Sequence, residues 1–220
     1  MTKTAVAVLV AAAGVASADV TLSGVDRSGY DIYAGEGIAI GSAARGDLDP
    51  SLYSNEAGPY SAFPAAPAAD NPLGVADYQS IATNNIDLTS FRFVGGVDTA
   101  GTVVFFDFFD AGGSFLDGFG VALSQAGDFI WTITISSGVE IAADGLVQMT
   151  IDDGTNGAVG NGRWFLTPNA ASVGNAGAPD FTSGLDNFNF AFTLNGVEVP
   201  APGAAALLGL GGLVATRRRR

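Results

Sequence analysis

The chain has no cysteine and no histidine, and its one lysine is Lys3. Without cysteine there are no disulfides, thiolate nucleophiles or Cys-ligated metals. Without histidine, a Ser-His-Asp triad, a His-ligated zinc and the usual near-neutral general base all fall away. Glutamate is scarce as well: Glu36, Glu56, Glu140 and Glu198 are the only four. None of them stands beside a second carboxylate as a tuned acid–base pair does. Catalysis would have to rest on aspartate, hydroxyls, tyrosine and arginine, and the chain reads as a non-enzyme.

Acid dominates what is present. The 220 residues carry 22 acidic against 9 basic side chains, a formal charge of −13. Every acidic residue lies between 19 and 198, accompanied only by Arg27, Arg45, Arg92 and Arg163, so that this part alone carries −18. Such a surface repels nucleic acid and anionic lipid headgroups, which disfavours both as partners, and it favours cations and saline surroundings.

With 31 glycines and 15 phenylalanines, the middle of the chain reads as short strands joined by glycine turns. Alternation supports this. From Val103 to Phe109, Val104, Phe106 and Phe108 share one face, with Phe105 and Asp107 on the other. Trp131, Ile133 and Ile135 alternate with Thr132 and Thr134. Val147, Met149 and Ile151 alternate with Gln148 and Thr150, and Phe188, Phe190, Phe192 and Leu194 face one way. Further strands are expected at 20–22, 86–94, 119–123 and 163–166. The pattern predicts an all-β fold, an antiparallel β-sandwich of jelly-roll-like form. Residues 41–80 are rich in X-Pro dipeptides and read as one long loop. A second Gly/Ala/Asn/Pro-rich connection is expected over 167–184.

The two ends are of another kind. Met1 to Thr4 is a short basic stretch, Ala5 to Val15 is apolar, and Ala16-Ser17-Ala18 offers small residues for cleavage after Ala18. This is the layout of a secretory signal peptide over 1–18, with signal peptidase as the implied partner. At the other end come Val199-Pro200-Ala201-Pro202, an apolar run, and Arg217, Arg218, Arg219 and Arg220. As a helix, 203–216 would reach about 21 Å at a rise of ~1.5 Å per residue. That falls short of a hydrocarbon core of about 30 Å. Gly209, Gly211 and Gly212 weaken the helix further. The segment is a marginal anchor whose arginines stay on the cytoplasmic side; attachment to the membrane is transient or permanent.

Order, spacing and charge make these last 22 residues resemble the PEP-CTERM sorting signal of Gram-negative bacteria, with Ala201 where that family usually has Glu. The resemblance implies an exosortase-type membrane protease that reads the Pro-x-Pro motif, and a destination at the cell surface, outer envelope or extracellular matrix. The chain thus divides into a signal peptide (1–18), a β-sandwich ectodomain (19–198) and a sorting tail with a hydrophobic helix (199–220).

Three groups of side chains invite a site, and each has an ordinary structural reading beside it. Asp152-Asp153-Gly154-Thr155-Asn156-Gly157 places oxygen-bearing Asp152, Asp153 and Asn156 in one short loop, as a calcium ligand set requires, and the same residues also make a good hairpin turn. Trp164, Tyr30, Tyr33, Tyr53 and Tyr60 are the aromatics for stacking on a sugar, or else they fill the core. Asp107, Asp110 and Asp117 are carboxylates for glycoside hydrolysis, or else solvent-facing strand and turn residues of an acidic protein. The expected role is structural or adhesive, in contact with extracellular polysaccharide. A carbohydrate-binding module is the alternative, ahead of a carboxylate-dependent glycoside hydrolase.

Overall fold

The computed structural model describes residues 22, 25–40, 51–65, 72–175 and 188–200, with backbone alone at 62–65 and 137. Twelve strands make up the fold: β1 (Ile32–Ala39), β2 (Ser51–Ser54), β3 (Ser61–Ala65), β4 (Pro72–Gln79), β5 (Ile86–Val97), β6 (Thr102–Asp110), β7 (Phe115–Leu123), β8 (Gly127–Ile141), β9 (Asp144–Ile151), β10 (Gly162–Thr167), β11 (Asn189–Phe190) and β12 (Phe192–Glu198). The described part of the protein is all-β. The strands expected from alternation between 86 and 166 are all present as β5 to β10, each extended by a few residues. The last expected strand is divided at Ala191 into β11 and β12.

The strands join in one nearly closed sheet, in the order β11-β10-β5-β8-β1-β7-β6-β9-β4. β12 runs along β5 and β2, and β3 along β10. β1 is the seam. Its first half, Ile32 to Gly35, pairs in parallel with Gly120 to Leu123 of β7. Its second half, Glu36 to Ala39, pairs antiparallel with Phe129 to Thr132 of β8. Among the described residues all other pairings are antiparallel; the parallel β1–β7 ladder and the joining of the strands into one nearly closed sheet, rather than two separate sheets, differ from the sequence expectation.

The two halves of the sheet face each other across one aromatic core. Phe106 and Phe108 of β6 meet Phe91 and Phe93 of β5, and the Phe91 and Phe106 rings lie 4.5 Å apart. Trp164 stacks on Phe190 at 4.2 Å, and its indole N–H donates to Ala191 O at 3.4 Å. Trp131 donates to Gly95 O at 3.1 Å. Each such ring removes about 150–250 Å² from water, and truncating one to alanine costs about 3–5 kcal/mol. Trp131 lies so close to β1 that a Cβ on Gly37 would sit 3.0 Å from its ring. Glycine at that position is what lets the indole fill the seam.

Two corrections to the sequence reading concern this architecture, and one expectation lies almost wholly outside the described residues. The long loop expected over 41–80 contains β2, β3 and β4. The strand expected at 20–22 falls outside the described residues except for Leu22, which is irregular. Asp107, expected to face solvent, is fully buried. The signal peptide at 1–18, with Ala16 and Ala18, and the tail from Ala201 through Arg220 lie outside the described residues. Among the described residues no helix is long and apolar enough to cross a membrane.

Candidate functional site

The outer face of the β4–β9–β6–β7 half is covered by the chain itself. The segment before β1 lies across it as a strap. Leu22 and Val25 pack on Val75, Phe109 and Leu146, the outward apolar residues of β4, β6 and β9. Two residues later Arg27 reaches Asp107 on β6. Its Nη2 lies 2.7 Å from Oδ2, and its Nε 3.1 Å from Oδ1. The same Nη2 donates to Thr150 Oγ1 at 3.2 Å. Tyr30 OH donates to Asp107 Oδ1 at 2.9 Å, and Gln148 Nε2 to Oδ2 at 3.3 Å. Arg27, Tyr30 and Gln148 therefore meet around one carboxylate that has no exposure to water, with Thr150 beside them. Burial, and then the charge of Asp107, push the Tyr30 phenol well above its ordinary range. The Arg27 guanidinium also sits over the Phe105 ring, 5.6 Å from its centroid. β7 makes room for this arrangement with Gly118, where a Cβ would collide with the Tyr30 hydroxyl.

Beside the strap opens a cleft of about 500 Å³. The strap at 25–28 forms one wall, the loop after β9 the other, and Phe105 and Ile151 the floor. Asp152, Asp153 and Asn156 are brought together here, as their spacing implies. Both Asp152 oxygens and one Asp153 oxygen are engaged within the loop, however. Asp152 Oδ2 accepts from Gly154 N at 3.0 Å and Asn156 N at 2.8 Å, and Oδ1 accepts from Asn156 Nδ2 at 2.9 Å. Asp153 Oδ1 accepts from Thr155 Oγ1 at 2.6 Å and Thr155 N at 2.9 Å. The Thr155 hydroxyl and amide hold the Asp153 carboxyl below its usual range. Across the cleft the Ser28 amide does the same for Asp26. Gly154 has φ of +100°, the left-handed region, where an L side chain would be strained. The arrangement is an Asx-type turn that uses its acids as caps for backbone amides. Among the described residues no group of three or more Asp or Glu side chains is placed to hold a metal ion.

The other candidates disperse. Asp107 is locked in the ion pair. Asp110 caps the β6–β7 turn through Gly112 N and Ser114 N, and Asp117 accepts from Glu140 N on β8. Trp164 and Tyr53 are fully buried in the core, which removes them as a sugar-stacking platform. Tyr60 donates to Glu56 O and lies edge-on to Phe165, while Tyr33 packs edge-on to Phe119. The element missed in the sequence is the strap. Its one available signal was a polar residue, Asp107, inside an otherwise apolar run, together with the scarcity of arginines to pair with it.

No family model, curated protein or solved structure matches the chain.

Proposed function

We propose that the protein is an exported, non-catalytic component of the cell surface or extracellular matrix of a Gram-negative-type bacterium, with a structural or adhesive role. Signal peptidase releases its N-terminus. The tail at Val199 to Arg220 is the substrate of an exosortase-type membrane protease and provides transient or permanent attachment to the membrane. The body between them is a jelly-roll-like sandwich whose acidic surface works in saline surroundings and contacts polysaccharide.

One observation carries this reading. A nearly closed β body lies between the segment that reads as a cleavable leader and the sorting-type tail, and its last strand ends at Glu198. Burial of Asp107 in its ion pair disfavours a hydrolase that would use it. The cleft between strap and loop supports the second reading, a carbohydrate-binding module, because it is lined by Asp26 and Asp153. Carboxylates and amides at a half-apolar cleft suit the hydroxyls and C–H faces of a sugar.

Deleting Ala204 to Arg220 tests the main reading. The truncated protein is expected to move from the envelope into the medium. Unchanged distribution between the two would remove the sorting role.

A further inference from the structure

The polypeptide leaves the folded body at a point held by side chains. β12 ends at Glu198, and the Glu198 carboxylate is gripped by the turn that leads into β5. Thr83 N donates to Oε1 at 3.2 Å, Thr83 Oγ1 to Oε2 at 3.2 Å, and Asn84 Nδ2 to Oε2 at 3.1 Å. One residue on, Val199 N donates to Asn85 O at 2.7 Å. The turn is tied down in its own right. Ser80 N donates to Ala143 O at 2.9 Å, Ile81 N to Leu52 O at 2.9 Å, and Asn85 Nδ2 to Glu140 Oε1 at 2.8 Å. Pro200, which has no N–H to donate, follows immediately and is exposed.

We propose that this clasp is the proteolytic boundary of the chain. While it is closed, a peptidase that removes the tail cuts on the C-terminal side of Val199 and not within β12. Peptidases take up their substrates as extended segments, through the same backbone groups that strands use to pair. The backbone at Val197 and Glu198 is already committed to Asp87 and Ile86 of β5, and that at Val199 to Asn85. Cleavage there requires local opening, and the population of the open form sets its rate. Side-chain burial has no part in the protection, because Val197 is 60 % exposed. The inference depends on the sorting reading only for the identity of the peptidase that acts in the cell. The boundary itself belongs to the fold.

Thermolysin is a suitable probe, since it cuts before large apolar residues. Its sites include Val197 within the clasp, and Leu207 and Leu208 beyond it; the Glu198–Val199 bond, flanked by an acid and by Pro200, is refractory in its own right. Digestion of the full-length protein, followed by intact mass, is expected to remove the tail and leave a C-terminus beyond Val199. The double substitution Thr83→Val/Asn84→Ala removes two of the four bonds and leaves the cut sites themselves unchanged. Cutting before Val197 should then rise about tenfold, as expected when opening is easier by one to two hydrogen bonds. Thr83→Ser, which keeps the hydroxyl, should retain the parent pattern. A variant with a damaged core is recognised by cuts inside the Phe105–Phe109 stretch as well. Cutting before Val197 in the parent at the rate of the tail sites would overturn the proposal, as would an unchanged pattern in the double variant. Failure of the sorting role, read from the distribution of the tail-deleted protein, leaves this digestion result unaffected.

Discussion

Arg27 and Arg163 each pair with an aspartate, but in different surroundings, and so they should contribute differently. The Arg163–Asp128 pair is partly exposed, with 2.9 Å between Nε and Oδ1. Exposed pairs of this kind contribute about 0–1 kcal/mol. Asp107 has no exposure, and losing its cation would leave a buried charge that Tyr30 and Gln148 only partly solvate. Removing one member of such a pair costs about 3–5 kcal/mol. Arg27→Ala is therefore expected to shift the urea midpoint far more than Arg163→Ala, with m unchanged. Equal shifts would mean that the strap is not pinned by this pair. The comparison also bears on what the sequence reveals. That Phe105, Asp107 and Phe109 point away from Val104, Phe106 and Phe108 is legible in the alternation. That they are nonetheless buried is not, because the covering residues Leu22, Val25 and Arg27 lie some 80 positions earlier and show no period of their own.

β1 and β4 escape a reading by alternation for a related reason. At Gly35 and Gly37 of β1, and at Gly74 of β4, the inward position carries no side chain, and a ring from elsewhere occupies the space: Trp131 beside β1 and Phe190 beside β4. The apolar half of the pattern is supplied by a neighbouring strand, so the segment itself looks like a loop. β5 to β10 bring their own inward side chains and are plain in the sequence. The loop after β9 shows the limit at the site: spacing brought Asp152, Asp153 and Asn156 together correctly, but could not tell ligation from capping. Asp152→Ala removes the acceptor for three donors, and is expected to cost about 1–3 kcal/mol, whether or not calcium is added. The check is thermal melting with calcium and with chelator. A calcium-dependent rise in the parent that vanishes in Asp152→Ala/Asp153→Ala would show the loop to be a metal site after all.

The body as a whole balances self-repulsion against many small acid-to-amide bonds. With −18 in the segment that holds the fold, screening should stabilise it. The Debye length falls from about 30 Å at 0.01 M to about 3 Å at 1 M salt, so the melting temperature should climb with sodium and potassium chloride alike. Acid acts in the other direction. Asp26, Asp98, Asp110, Asp153 and Glu198 are all held below their usual carboxyl range, chiefly by the Ser28 amide, the Asn161 side chain, the Ser114 amide, the Thr155 hydroxyl and the Asn84 side chain, respectively. A carboxyl whose folded value is depressed adds stability above its unfolded value and loses it as pH drops through the folded one. Melting temperature should thus be flat from neutrality to about pH 5 and decline below about pH 4. A steady rise down to pH 3 would show relief of repulsion outweighing these bonds. The placement of β1 has a kinetic corollary. Its partners on β7 and β8 lie nearly 90 or more residues downstream, so this ladder closes only after most of the chain has been synthesised and delivered. Non-local closure of this sort is slow. The β2–β12 ladder is more non-local still, joining Ser54 to Thr193, so the body stays open along that edge until its final strand is available.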